Sequence, residues 1–568
     1  MFSKLRFYGG AVIRMQMRRL VAAFLAKTAD PRAVQQAVLR DLLALNAGTD
    51  FAKRHALHEV RTVADLRQRV PVSDYTYFRP YIERVKQGET SALLGSSNRL
   101  LMFALTSGTT ADSKFLPITK RFLDDYRRGW SIWSIRAYDD HPTLFLQKIV
   151  QLSSDHDQFR TIGGHPCGNI SGLATAMQNR LVRTMYSIPA IVSKIRSPEA
   201  KYYTAMRFSL ANRIAGLLLT ANPSTLIQLA KLGDDRKQEL IRDIFNGTLS
   251  SRVDVSPEVR ESLRRQVRRR DRRRAQDLEA IVEKSGHLYP RNYWSGLSLM
   301  GVWTGGSAGA YTRGLRTYYG NVPIRDHGLS ASEGRMTIPL WDDRPDGILD
   351  IASHFFEFIP EEEYGRPNLT ALEAHELEEG RNYYILLTTS AGLWRYDIKD
   401  VVKCVGWYQS TPLLEFLNKG AHISSITGEK VSESQVVAAV RDAVAAMNVP
   451  LSCYTVAPVW GDPPGYRLLA EVGDLPSAEA GEQLAAHVDT GLQALNMEYG
   501  EKRRTGRLAP LAYASISPGS WNRFARERQS GLGGSVEQYK HPCLVPDLAF
   551  YEAFLSRFSP SETQPESA

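Results

Sequence analysis

With 568 residues the chain exceeds what one hydrophobic core normally serves, so two or more domains are expected. Its 43% apolar, 10% aromatic and 23% charged residues exclude a disordered or fibrous protein, and no apolar run approaches the ~18–20 residues that cross a bilayer. The net charge of +10 is concentrated: Arg264, Arg265, Arg268, Arg269, Arg270, Arg272, Arg273 and Arg274, offset by Asp271, carry +7 and leave +3 for the remainder.

In chain order, the first 28 residues carry Lys4, Arg6, Arg14, Arg18, Arg19 and Lys27 with no acid before Asp30. A compact apolar stretch with a small-residue cleavage site is missing, which argues against secretion. A helix packed on the body with its basic face in solvent is favoured over a membrane-surface or organelle-targeting helix. From Asp30 to Val70 the pattern is helical, with Asn46 and Gly48 as a stop and a new start at Thr62-Val63-Ala64-Asp65.

Arg99 to Leu105 reads as a buried strand, followed by Thr106-Ser107-Gly108-Thr109-Thr110-Ala111-Asp112-Ser113-Lys114 and a helix from Thr119 to Trp130. A strand opening into hydroxyls and glycine, with a lysine behind, is the make-up of a polyphosphate cradle. Gly108 admits φ > 0, successive N–H groups converge on an anion, and Thr106, Ser107, Thr109, Thr110 and Lys114 add donors. It is not the G-x-x-x-x-G-K-[ST] loop, and by composition a polar strand-to-helix turn competes with it.

Beyond it, strands alternate with helices, as an α/β domain requires. Strands are expected at 143–150, 297–303, 322–326, 355–359 and 383–389, and helices through 173–187, 198–219 and 224–246. Thr161 to Gly172 is a glycine-rich loop. A continuous helix is expected from Pro257 to Lys284, with Leu263, Val267, Leu278 and Ile281 inside and the arginines outside. Aromatics for base stacking are absent there, so a solvated face or an intersubunit contact is favoured over a nucleic-acid platform. After Gly428, alanine-rich helices at 434–447 and 478–494 alternate with strands at 454–457 and 467–472. The tail 559–568 is polar and expected to be disordered.

The four cysteines (Cys167, Cys404, Cys453, Cys543) lie far apart without a C-x-x-C pair, which argues against disulfides or a zinc knuckle and fits a reducing, cytoplasmic setting. His165 and Cys167 make a poor metal pair, since nothing nearby completes it.

Several short segments carry candidate chemistry. Trp303-Thr304-Gly305-Gly306 follows a strand and offers either backbone against a flat ring or a tight turn. In Leu329-Ser330-Ala331-Ser332-Glu333-Gly334, Ser330, Ala331 and Ser332 are candidates for nucleotide contact. Glu333 either holds Mg²⁺ against phosphate oxygens or caps the turn. In Gly392 to Val402, Arg395 offers a fork of donors to phosphate and Asp400 a carboxylate to ribose hydroxyls. Ile426-Thr427-Gly428-Glu429-Lys430 lies at the composition change, and Glu537-Gln538-Tyr539-Lys540 near the end of the small domain.

The order and spacing of these segments, together with Pro71-Val72-Ser73 and Phe356-Glu357-Phe358, resemble the Gretchen-Hagen-three family of auxin-responsive acyl-acid amido synthetases, within the adenylate-forming superfamily. The similarity runs from about residue 35 to residue 550. It departs from the family at Ala111 (usually glycine), Ser113 (proline), Leu329 (tyrosine) and Lys399 (glycine).

The resemblance implies an α/β protein: a large N-terminal adenylate-forming domain of sheets layered with helices (1–425) and a smaller, mobile α+β C-terminal domain (426–558). It implies ATP-dependent activation of a carboxylic acid as an acyl-adenylate, then transfer to an amine such as an amino acid. A thiol acceptor (coenzyme A or a carrier protein) is the alternative, with a non-catalytic nucleic-acid-associated protein further behind. The cofactors implied are ATP and Mg²⁺, and the partners are small-molecule acid and amine, with no nucleic acid. Thr106, Ser107, Gly108, Thr109 and Thr110 would hold the phosphates, Glu333 the metal and Asp400 the ribose. Lys540 and Lys430 would act from the mobile domain. Gly164, His165, Ser171 and Trp303 would line the acyl pocket.

Overall fold

The computed structural model describes residues 11–106, 114–178, 180–366, 369–420, 423–424, 426–427, 429, 431–504, 506–530 and 541–558. The phosphate-loop residues Ser107, Gly108, Thr109 and Thr110, both lysines Lys430 and Lys540, and the tail expected to be disordered lie outside these residues. Thr106 is described in its backbone alone.

Helix starts follow their caps. Thr62 and Asp65 form a capping box at Val63–Arg69, Thr119 caps Lys120–Asp140, and Ser432 with Gln435 caps Glu433–Met447. Each such cap is worth about 1 kcal/mol. The helix after the loop runs on to Asp140, ten residues past Trp130. The expected helix 257–284 is two helices, Pro257–Val267 and Arg272–Ser285. Asp271 breaks it by accepting from the Arg274 N–H as a new N-cap (2.8 Å). Leu263, Val267 and Leu278 face inward as expected, but so does Arg274, which donates to the carbonyls of Leu210 and Tyr293.

Three expectations fail between residues 142 and 219, one being the helix over 173–187, which is two short ones, Ile170–Ala176 and Arg180–Arg183. Pro142–Leu146 is a 3₁₀ turn and the strand is only Lys148–Gln151. The helix expected to reach residue 219 stops at Leu210, and Ala215–Leu219 is a fully buried strand. An all-apolar run covered on both faces carries no period by which to separate strand from helix.

That strand belongs to a parallel sheet ordered Lys148–Gln151, Ala215–Leu219, Leu299–Val302, Ile324–Asp326. A six-stranded antiparallel sheet is built from Thr337–Ile338, Asp346–Leu349, Thr411–Lys419, Tyr396–Tyr408, Asn382–Thr388 and Phe355–Pro360. A third sheet pairs Leu100–Thr106 with Lys114–Thr119 on one side and Pro166–Gly168 on the other. The N-terminal lead-in helices share one core with the second and third sheets. The parallel sheet and helices 198–324 form another. A separate core runs from Val431 to Leu544 around the strands Tyr454–Val459, Gly465–Glu471 and Ala512–Ile516.

Glu429 ties the connecting segment to that last core. Fully buried, it accepts from the N–H groups of Ile426 (2.8 Å) and Thr427 (2.7 Å), the Thr427 hydroxyl and the Tyr466 hydroxyl. Burial opposes its charge, yet these donors hold its carboxyl below the usual range. A depressed pKa stabilises the fold above the unfolded-state value and loses that stability as pH falls through the folded-state one. Glu429→Gln is therefore expected to cost roughly 2 kcal/mol at neutral pH. The difference from wild type should shrink below about pH 4; denaturant melts of both proteins across pH check this.

Candidate active site

Ligands of open α/β sheets bind beyond the carboxyl ends of the parallel strands, and a cleft open to solvent lies there. Asn222 and Pro223 follow the strand Ala215–Leu219, Trp303 and Gly305 follow Leu299–Val302, and Asp326 with Leu329 and Ser330 closes Ile324–Asp326. Leu414 and Phe416 of the six-stranded sheet face them. His541, from beyond the C-terminal core's last strand, completes the wall; its Nε2 lies 2.9 Å from the Thr455 hydroxyl and its ring 4.6 Å from Trp521.

The turn Trp303–Gly306 is fixed by a carboxylate. Asp326, 3% exposed, accepts from the Thr304 N–H (2.6 Å) and hydroxyl (2.7 Å) and from the Gly328 N–H (2.6 Å). Burial raises its pKa to about 6 against those donors. Gly306, at φ 55°, is pressed on the Leu417 carbonyl, where an added Cβ would lie 2.6 Å from the oxygen. The turn thus docks the parallel sheet onto the strand Thr411–Lys419. Trp303 donates its ring N–H to the Gly328 carbonyl (3.0 Å). Asp326 is the site residue that the sequence reading missed; an acid ending a buried strand just before Gly328 was the available signal.

Glu333 occupies the turn between Ser330–Ala331 and Gly334–Arg335 and is 9% exposed. It sits close enough to Tyr396 to raise that phenol's pKa, after burial, together with Asp74 and Tyr75. Tyr75 in turn accepts the Phe115 N–H (3.0 Å), and its ring lies 5.7 Å from Lys114 Nζ. Lys114 pairs with Thr106 across the antiparallel register, so these two residues are the ends from which the threonine-rich loop departs. Asp400, 2% exposed, lies on the same long strand as Tyr396, and its charge reaches Asp397. Glu333 and Asp400 thus bear electrostatically on Tyr396 and Asp397, which are neighbours in the chain. Lys399, where the resemblance expects glycine, adopts φ 60°, a conformation glycine reaches without strain.

Other expected residues are placed elsewhere. Arg395 does not present its fork to phosphate: nearly buried, it gives Nε to Glu357 (2.8 Å) and Nη1 to the Val70 carbonyl (2.7 Å). Glu357 also holds Arg67 (2.9 Å), so this ion triad fastens the lead-in to the six-stranded sheet. Gly164, His165 and Ser171 are not among the described lining residues of the cleft. Gly164 and His165 lie in the connection to Pro166–Gly168, with the His165 ring 6.2 Å from Phe103 and its pKa lowered by burial.

Arg395→Met should therefore act as a stability mutant. A loss of roughly 3 kcal/mol is expected from the broken buried pair, with the Michaelis constant for nucleotide unchanged in protein that remains folded; calorimetry with steady-state kinetics checks both. Asp326→Asn sets an amide donor against donors and should lower turnover by about tenfold or more. The raised pKa means that wild-type Asp326 weakens the fold as pH climbs from about 4 to about 6, by roughly 3 kcal/mol in all. Melting curves of the Asn variant should lack that fall.

Three family descriptions match successive parts of the chain: GH3 family N-terminal domain over residues 20–324, GH3 family central domain over 347–419 and GH3 family C-terminal domain over 434–549. Among curated relatives, indole-3-acetic acid-amido synthetase GH3.3 of Arabidopsis thaliana is 25% identical over 556 residues, spanning 93% of this chain and 92% of its own. Jasmonoyl–L-amino acid synthetase JAR4 of Nicotiana attenuata is 24% identical, with 93% of each chain covered. The solved structure of GH3.15 acyl acid amido synthetase superposes with a TM-score of 0.82 at 20% identity, over 95% of this chain and 96% of that one, and so shares the fold. With its N-terminal, central and C-terminal parts all matched, the chain belongs to the GH3 family.

Proposed function

We propose that this protein is an acid–amino acid ligase that activates a carboxylic acid with ATP as an acyl-adenylate and passes the acyl group to an amine. The observation that carries the reading is the arrangement at the carboxyl ends of the parallel strands. There the Asp326-fixed Trp303–Gly306 turn and Ser330 line one cleft with Phe416 and with His541 of the C-terminal core. Matched relatives named indole-3-acetic acid-amido synthetase and jasmonoyl–L-amino acid synthetase support the amide product.

A carboxylate becomes an electrophile only once one oxygen is a good leaving group, and attack at the α-phosphate concentrates negative charge. Thr106, Ser107, Gly108, Thr109, Thr110 and Lys114 would hold the phosphates by N–H, hydroxyl and ammonium donors. Thr304, Gly305 and Gly306 with Ser330, Ala331 and Ser332 would hold the nucleoside, and Asp400 the ribose hydroxyls. Glu333 would hold Mg²⁺, an ion that takes few ligands from protein and several from phosphate and water. Bound there, it would neutralise charge on the phosphates. Trp303 and the apolar wall would receive the acid and exclude water from the labile adenylate.

Lys540 and Lys430 would act from the C-terminal unit. Each adjoins an anchored residue: Lys540 precedes His541, held to Thr455 and lining the cleft, and Lys430 follows Glu429, locked onto Tyr466. Rotation of that unit about the connection near residues 425–430 would close the site and then admit the amine. A reducing, cytoplasmic location agrees with four unpaired thiols.

The test is a panel of acids against amines, read by pyrophosphate release and product mass. Acid-dependent pyrophosphate release with an amide product is expected; release that no acid stimulates would sink the reading. Lys540→Ala should slow ATP–pyrophosphate exchange by at least about a hundredfold while its melting temperature stays at the wild-type value.

A further inference from the structure

Two basic segments that the ligase reading leaves unused flank the amino ends of the parallel sheet. Near its amino ends, the Lys148 N–H donates to the Ile214 carbonyl (2.8 Å), just before the strand Ala215–Leu219 begins. From this point contacts run both ways. Toward the N-terminal helix Ala11–Lys27, the Arg14 guanidinium lies 4.9 Å over the Phe145 ring. Toward the arginine corner, Arg213 binds Asp277 (2.7 Å) and the cap Asp271 (3.2 Å), while Arg272 lies 5.3 Å over Phe245.

Along this line, large apolar side chains stand in solvent between cations: Met15 is 49% exposed, Leu146 43%, Ile214 47% and Phe245 39%. The arginines between Arg264 and Arg273 are exposed as well, and among the described residues their one ion pair is Arg264 with Glu261 (3.1 Å). Like charges crowded against the start of Arg272–Ser285 oppose the local helix dipole. Neither feature helps the isolated fold. Both suit a surface that supplies anions and an apolar layer together.

We propose that this rim is a peripheral docking surface for an anionic lipid bilayer. The arginines meet headgroup phosphates as guanidinium forks, and Met15, Leu146 and Ile214 enter the boundary of the acyl region. Nucleic acid fits less well, because Phe245 is capped by Arg272 and the aliphatic side chains offer no stacking. The catalytic cleft lies at the carboxyl ends of the same strands, so a docked protein keeps it turned away from the membrane.

Sedimentation of the full chain with vesicles tests this. Binding to phosphatidylcholine vesicles containing phosphatidylglycerol, weakening with salt, is expected, with little binding to pure phosphatidylcholine. Replacing Arg268, Arg269 and Arg273 by serine should weaken it roughly a hundredfold. Leu146→Ser with Ile214→Ser should remove the part that resists salt. Acid-dependent pyrophosphate release should be unchanged in every variant, which shows them folded and separates this proposal from the ligase reading. Equal partition onto both vesicle types, or insensitivity to all five substitutions, would overturn it. So would arginine-dependent RNA binding or self-association in a protein that ignores vesicles.

Discussion

The site depends on a carboxylate in a place where carboxylates are costly. Asp326 is 3% exposed and surrounded by apolar strands. Taking such a group out of water is tolerable only when its lone pairs are met by donors, and here two N–H groups and a hydroxyl do so. Two of the three come from Thr304, so the fold holds Asp326 only if the turn after the neighbouring strand adopts one shape. That shape brings Gly305 and Gly306 against the backbone of Phe416 and Leu417, where added side-chain atoms would clash. One buried charge thereby fixes the end of one sheet, the turn of the next strand and the seat of a second sheet.

The other half of the site is assembled around a phenol. Tyr396 is wholly buried, and the residues whose charge bears on it come from distant stretches: Glu333, Asp74 and Tyr75. Tyr75 accepts the Phe115 N–H, next to Lys114 at the start of the strand Lys114–Thr119. The lead-in helix that carries Tyr75 and the turn that carries Glu333 thus both bear on one buried phenol of the six-stranded sheet. At the other end of the chain, Glu429 ties the connecting segment to the C-terminal core through Tyr466 and Asn496.

What was legible in the sequence followed from local chemistry. Capping and helix-stopping residues placed Thr62–Asp65 and Asn46, alanine-rich composition placed the helix up to Met447, and glycine pairs after strands placed the Trp303–Gly306 turn. What was not legible depended on tertiary surroundings. The run at 214–219 is apolar on every side, and only its neighbours make it a strand. Asp271 reads as one acid among arginines until the chain bends there and needs a cap. Arg395 has the side chain of a phosphate ligand, but Glu357 and the Val70 carbonyl claim it first. Asp326 has no motif of its own; its role exists only because Thr304 arrives beside it.

The two ends of the parallel sheet divide the labour of the molecule. At the carboxyl ends, strand termini and turns converge polar backbone on one cleft, and chemistry that must exclude water belongs there. At the amino ends the chain enters the strands from loops and helices whose outward residues are free of that constraint. There the arginines of 264–273 and the exposed Leu146 and Ile214 gather. Those arginines stand in water, where salt shortens the reach of their charge to about 8–10 Å. The concentrated positive charge thus sits apart from the cleft, at the other end of the same strands.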